Sequence, residues 1–240
     1  MALAAVAAGS APYAAQHDIN PDALYAQRDD LAKAEQAAAL WTAALERDPS
    51  SPAAFESAWK LSRACYWLGG HAAEQARRAT YERGIEAARR ATSLRSDRPE
   101  GYFWMAANMG ALAESFGVRQ GLKYRKPIKE ALETVLRLDP AFQDGSADRA
   151  LGRWYFKVPR LFGGSDKEAE AHLRASLRYN PASTASHYFL AELFADNGRK
   201  DDARTELQAV IDAPINPEWA PEDREFKEKA RQLLEKLRRS

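Results

Sequence analysis

Proline punctuation constrains this chain more than any other feature. Pro49, Pro99, Pro140 and Pro181 lie 50, 41 and 41 residues apart. Each ends a helix-forming run, and within the helices apolar residues recur three and four apart, as at Phe55, Ala58, Leu61, Cys65 and Leu68. Proline pushes the residue before it out of helical geometry, so such runs stop there. A period of this length, with helical pattern throughout and no strand-like alternation, calls for helix pairs stacked on one another. The fold class is therefore all-α, a solenoid of helical hairpins.

The elements follow from local signals. Asn20-Pro21 opens a first short helix, with Asn20 as cap and Pro21 at the first helical position. An Ala- and Leu-rich helix covers 31–46 and stops at Asp48-Pro49. The next starts after Ser51-Pro52 and runs to Leu68, where Gly69-Gly70 should break it. Helices are expected over 72–96 and 100–116, the latter stopped by Gly117. Val118 to Tyr124 reads as a connecting segment, and Lys126-Pro127 as the start of a helix ending at Asp139-Pro140. Further helices are expected over 147–157, 165–179, 182–196 and 200–213, and Pro221 opens a last charged one to Arg238. Residues 20–219 form the repeat domain and 220–240 a C-terminal capping helix. Residues 1–19 are Ala-rich and apolar, and Ala11-Pro12-Tyr13-Ala14 resembles a signal-peptidase site. A basic start and a longer apolar run are missing, so signal remnant and disordered lead-in both stand as readings.

Composition narrows the chemistry. Lys+Arg is 35 against Asp+Glu 34, a net charge of +1 that gives no general pull toward nucleic acid or anionic membrane. The single cysteine, Cys65, sits in an apolar helical stretch and reads as a buried hydrophobe. His17, His71, His172 and His187 are scattered, with no HxxxH or HExxH spacing. Gly163-Gly164-Ser165-Asp166 lacks the phosphate-loop pattern, and the carboxylates show no pairing suited to acid–base work. No metal, cofactor or catalytic residue is expected, and the chain reads as a binding protein.

The last repeat is the plainest. In HYFLAELFADNGRKDDARTELQAVI, Leu190-Ala191, Phe194, Gly198, Ala203 and Leu207 fall where small and large residues alternate in a tetratricopeptide repeat. The preceding unit matches through Leu151-Gly152, Tyr155, Gly164, Ala169, Leu173 and Pro181, and the first keeps Ala37, Trp41, Ala44 and Pro49. The small residue lets one helix approach its partner and the large one fills the notch. Extra residues follow the first helix of the second, third and fourth units.

Together, YFWMAANMGALAESFG, LDPAFQDG and LGRWYFKVPRLFGG resemble the T-component (TatT-like) family of tripartite periplasmic (TRAP) transporters, over about Asn20 to Pro217. That resemblance implies a ring-shaped tetratricopeptide-like fold with longer inter-helix insertions and a hydrophobic passage for an apolar or amphipathic organic ligand. It also implies a periplasmic solute-binding protein as partner, a trimeric assembly and a periplasmic location. The family's lipid-anchor cysteine has no counterpart, since Cys65 lies within a helix, and a cytoplasmic location is the alternative. A weaker similarity is to the regulators of microtubule dynamics. The alternative function is a tetratricopeptide scaffold that binds a peptide or protein in an open concave groove, along residues such as Lys60, Arg63 and Glu192.

Register separates the aromatic residues. Tyr102, Met105, Met109 and Tyr155 occupy positions the repeat fills with core; Phe103, Trp104, Trp154 and Phe156 do not, and Tyr66 and Trp67 form a third cluster. These six, with Asn108 as a polar group on an apolar face and Arg153 as a cation, are the candidate ligand-binding residues. Each also has a plainer reading as packing or solvated surface. Lys157 lies one helical turn beyond Arg153 and could join it in meeting a ligand carboxylate.

Overall fold

A computed structural model describes residues 19–239. The expectation for the N-terminal lead-in concerns residues outside that range, Ile19 apart. The described residues form eleven α-helices and no strand: α1 (Pro21–Tyr25), α2 (Leu31–Arg47), α3 (Pro52–His71), α4 (Glu74–Leu94), α5 (Pro99–Phe116), α6 (Val118–Leu138), α7 (Phe142–Lys157), α8 (Asp166–Tyr179), α9 (Thr184–Asp196), α10 (Lys200–Asp212) and α11 (Ala220–Arg239). They pack as consecutive antiparallel hairpins, α3/α4, α5/α6, α7/α8 and α9/α10, with α1/α2 before them and α11 laid against α9 and α10. No helix among the described residues is long and apolar enough to cross a membrane.

Capping sets several of the starts. Asn20 Oδ1 accepts from the Asp22 N–H at 2.9 Å, and Asp30 does the same for Ala32 at 3.1 Å. Ser165 and Ser183 cap α8 and α9. Each such cap satisfies a donor the helix cannot, a contribution of about 1 kcal/mol.

Two segments differ from the sequence expectation. Gly69-Gly70 does not end α3, which continues to His71. A Cβ at Gly69 would sit 2.4 Å from the Tyr81 ring, so this glycine is a notch through which α4 approaches α3. Nor is 118–124 a connector. Gly117, with φ of 78°, turns the chain in a single residue, and α6 begins at once and runs through Pro127. An interior proline costs a helix about 3 kcal/mol. Burial of Tyr124, Ile128, Leu132 and Val135 on one face offsets it, at roughly 1.5–3 kcal/mol for each large side chain. In these two units the extra residues lengthen helices. In α7/α8 they form a loop, 158–164, with one 3₁₀ turn over Arg160–Phe162.

The core runs between the hairpins; its two largest parts are linked, and smaller clusters around Trp41 and Phe55 serve the N-terminal helices. Trp104, Met109, Leu112, Leu132 and Leu151 centre the first; Leu173, Leu190, Phe194 and Leu207 centre the second; Tyr155 packs against both. Gly152 lets α8 close on α7, since a Cβ there would meet Leu173 Cγ at 2.5 Å.

His187 ties α9 to α10. Its Nδ1 lies 2.6 Å from Glu206 Oε2 and its Nε2 2.9 Å from the Pro181 carbonyl, so both ring nitrogens face acceptors and both can donate only in the protonated ring. Burial opposes that charge, but the Glu206 carboxylate and the Pro181 carbonyl outweigh it and raise the pKa above 6.5. A raised folded-state pKa gives stability that is complete below the unfolded value and lost as pH rises through the folded one. Thermal melts from pH 5.5 upward should show the wild type losing its margin over His187→Gln as pH climbs above about 6.5. A margin that stays constant with pH would contradict the assignment.

Candidate functional site: an aromatic cavity closed by the C-terminal helix

The first helix of each hairpin, α3, α5, α7 and α9, faces the concave side, where α11 and the 214–219 segment narrow the opening. The cavity so formed is half open to solvent and measures about 1330 Å³. Its walls are aromatic, with Tyr66 from α3, Phe103 and Trp104 from α5, Trp154 from α7, Phe189 from α9 and Phe226 from α11.

This partial closure depends on contacts between opposite ends of the chain. Arg28, 3% exposed, follows α1 and reaches the start of α11. Its Nε donates to Glu222 Oε1 at 2.8 Å, and its Nη2 donates to the Glu218 carbonyl at 2.7 Å and to Glu222 Oε2. The rings of Tyr25, Trp67 and Trp219 surround the guanidinium at 5.1–5.8 Å. Burial works against the charge there, yet the Glu222 carboxylate more than compensates and raises the Arg28 pKa. His71 to Glu225 at 2.8 Å and Arg224 to Asp29 at 3.0 Å flank this contact.

Of the eight residues singled out in the sequence, five line the cavity: Tyr66, Phe103, Trp104, Arg153 and Trp154. Tyr66 is 40% exposed, and that surface opens on the cavity. Enclosure by the surrounding protein pushes its phenol up to about 12. Trp154 is held by its indole N–H, which donates to the Arg125 carbonyl at 2.8 Å.

The other three are turned elsewhere. Trp67 is buried behind Tyr66; its Nε1 donates to the Arg28 carbonyl at 2.6 Å and its ring lies against His71. Asn108 is fully buried, and its Nδ2 donates to the Ser62 carbonyl and hydroxyl and to the Trp104 carbonyl. It joins α5 to α3 rather than meeting the cavity. Phe156 packs against the second part of the core under the Lys157 ammonium. In each case the direction around the helix axis differs from that of the lining neighbour, and register alone does not fix it. Lys60 and Arg63, expected along an open groove, pair instead with Asp22.

Arg153 is a crosslink. Its Nε and Nη2 donate to the two Glu114 oxygens at 2.8 Å, and its Nη1 donates to Glu192 Oε2 at 2.6 Å. One guanidinium therefore joins α5, α7 and α9 across the cavity wall, and these carboxylates raise its pKa despite burial. Glu114 and the α11 residue Phe226 escaped the sequence reading, since only the packing brings them here. Arg149 escaped it too, although the spacing of Arg149, Arg153 and Lys157 marks one face of α7.

A stack of helical hairpins with this concave face defines a tetratricopeptide-repeat protein. Residues 167–220 match the tetratricopeptide repeat model. Residues 22–162 match the model of the regulator of microtubule dynamics protein 1-3 family, and the chain belongs to that family. Among solved structures, it is similar to TTC0263, a thermophilic TPR protein of Thermus thermophilus, with 21% identity, TM-score 0.63, and coverage of 89% of this chain and 97% of that one. It is also similar to MamA, with 16% identity, TM-score 0.51, and coverage of 85% and 95%. These likenesses concern the fold. No curated protein sequence matches the chain.

Arg28→Ala leaves Glu222 without its partner and should cost about 3 kcal/mol, the usual scale for breaking a largely buried pair. At this chain length that is a fall in melting temperature of roughly 6–12 °C. Arg224→Ala, at an exposed pair, should change it by less than about 2 °C. Equal effects of the two substitutions in differential scanning calorimetry would contradict a central role for Arg28.

Proposed function

We propose that this protein is a non-catalytic binding module that takes an apolar or amphipathic organic ligand into the cavity formed by its own superhelix. The observation that carries this reading is the cavity itself: about 1330 Å³, walled by aromatic side chains from both halves of the chain. Small-molecule sites usually span about 300–1,000 Å³, so the space suits a longer molecule. A volume of this size would hold roughly 40 waters at about 30 Å³ each. Exchanging such waters for an apolar guest against aromatic walls is favourable.

A scaffold for protein interaction is the second reading, and the tetratricopeptide match supports it; the concave side limits where a partner would lie. The segment 214–219 and α11 occupy the concave side where an extended peptide would lie, and the groove cations expected near α3 are spent on Asp22. Two partner roles rest on resemblance alone: docking to a periplasmic solute-binding protein, from the T-component likeness, and the microtubule role in the name of the matched family. The ligand reading stands without either.

Titration of the full chain with a long-chain alcohol, followed by tryptophan fluorescence, tests the proposal. Saturable binding should change the emission, and Trp104→Ala should weaken it by about tenfold, the scale of one lost aromatic wall. Absence of saturable binding by apolar chains of any length would overturn the proposal.

A further inference from the structure

The cation stripe of α7 is unevenly satisfied. Arg149, Arg153 and Lys157 all line the cavity. Arg153 is held by Glu114 and Glu192, and Lys157 lies 3.9 Å from Glu192. Arg149 lines the cavity half-buried, with neither a hydrogen bond nor an ion pair among the described residues. Desolvation lowers its pKa, and the groups that act on it, Tyr66, Asp144 and Asp223, do so from beyond contact distance. Asp223 is already committed, accepting from the Thr184 hydroxyl at 2.6 Å and the Asn216 N–H at 2.8 Å.

A guanidinium with no ion pair, opening on a cavity, keeps its five N–H donors free for an incoming acceptor. Its planar fork matches an oxyanion bidentately. The surroundings limit which oxyanion. Asp144 and Asp223 also line the cavity, and neither is in an ion pair among the described residues, so a second negative charge on the guest would be repelled by them. Elsewhere on the lining, the partly exposed rings of Tyr66, Phe189 and Phe226 offer apolar surface for a hydrocarbon chain.

We propose that Arg149 is the headgroup anchor of the cavity and that the ligand is a monocarboxylate with a long apolar tail. The proposal rests on the ligand reading above and deepens it.

The test uses the full chain, a long-chain carboxylic acid, the alcohol of the same chain length and the alkyl phosphate, each titrated by calorimetry into wild type, Arg149→Gln and Arg149→Lys. Wild type should bind the acid about tenfold or more tightly than the alcohol, and the phosphate less tightly than the acid. Arg149→Gln should abolish the preference for acid over alcohol, while Arg149→Lys keeps part of it. Since Arg149 has no partner to lose, Arg149→Gln should melt no lower than wild type. Equal binding of acid and alcohol by wild type, full acid affinity in Arg149→Gln, or a lowered melting temperature for that variant would each overturn the anchor while leaving the cavity reading intact. Tighter binding of the phosphate would overturn the choice of carboxylate. Failure of wild type to bind both acid and alcohol would overturn the cavity reading and the anchor together.

Discussion

Arg28 is the contact on which the form of this molecule depends. A helical-hairpin stack has no intrinsic reason to join its ends, because each repeat contacts only its neighbours. Here a guanidinium beside α1, surrounded by three aromatic rings, holds a carboxylate and a backbone carbonyl at the start of α11. The partners stand 190 and 194 residues apart in sequence. With that contact in place, α11 lies over the concave side and its Phe226 faces the same half-open cavity as Tyr66 and Trp154.

The cavity has its own internal brace. Arg153 fixes α5, α7 and α9 relative to one another through two carboxylates. Its charge is neutralised in the act, which leaves Arg149, one turn away on the same helix, as the member of that stripe with no ion pair among the described residues. Bracing and recognition are thus divided between two arginines of one stripe. Elsewhere small residues set the spacing of the helices, as Gly69 does against Tyr81 and Gly152 against Leu173.

Much of the fold was legible because it is written in local signals. Prolines, caps and the three-four spacing of apolar residues act within a turn or two, and they gave the hairpins, the repeat register and the capping helix. Gly69 misled because a glycine demanded by packing looks the same in sequence as one that ends a helix. Pro127 misled because an apolar face buried on both sides of it outweighs its local cost. The site was legible in part. Phe103, Trp104 and Trp154 stood out as aromatic residues the repeat does not use, and they do line the cavity. Trp67 and Phe156 stood out as aromatic residues and Asn108 as a polar group on an apolar face, but they are claimed by Arg28, the core and Ser62. What distinguishes Arg149 from Arg153 is which carboxylates the fold delivers to each, and that depends on helices up to 39 residues away.

A crystal structure of the chain grown with a long-chain carboxylic acid tests the cavity account most directly. Density for the hydrocarbon chain is expected inside the ring, against Trp104 and Phe226, with the Arg28–Glu222 contact intact around it. An acid found only on the outer surface, or a chain whose ends stand apart with α11 displaced from α1, would contradict it.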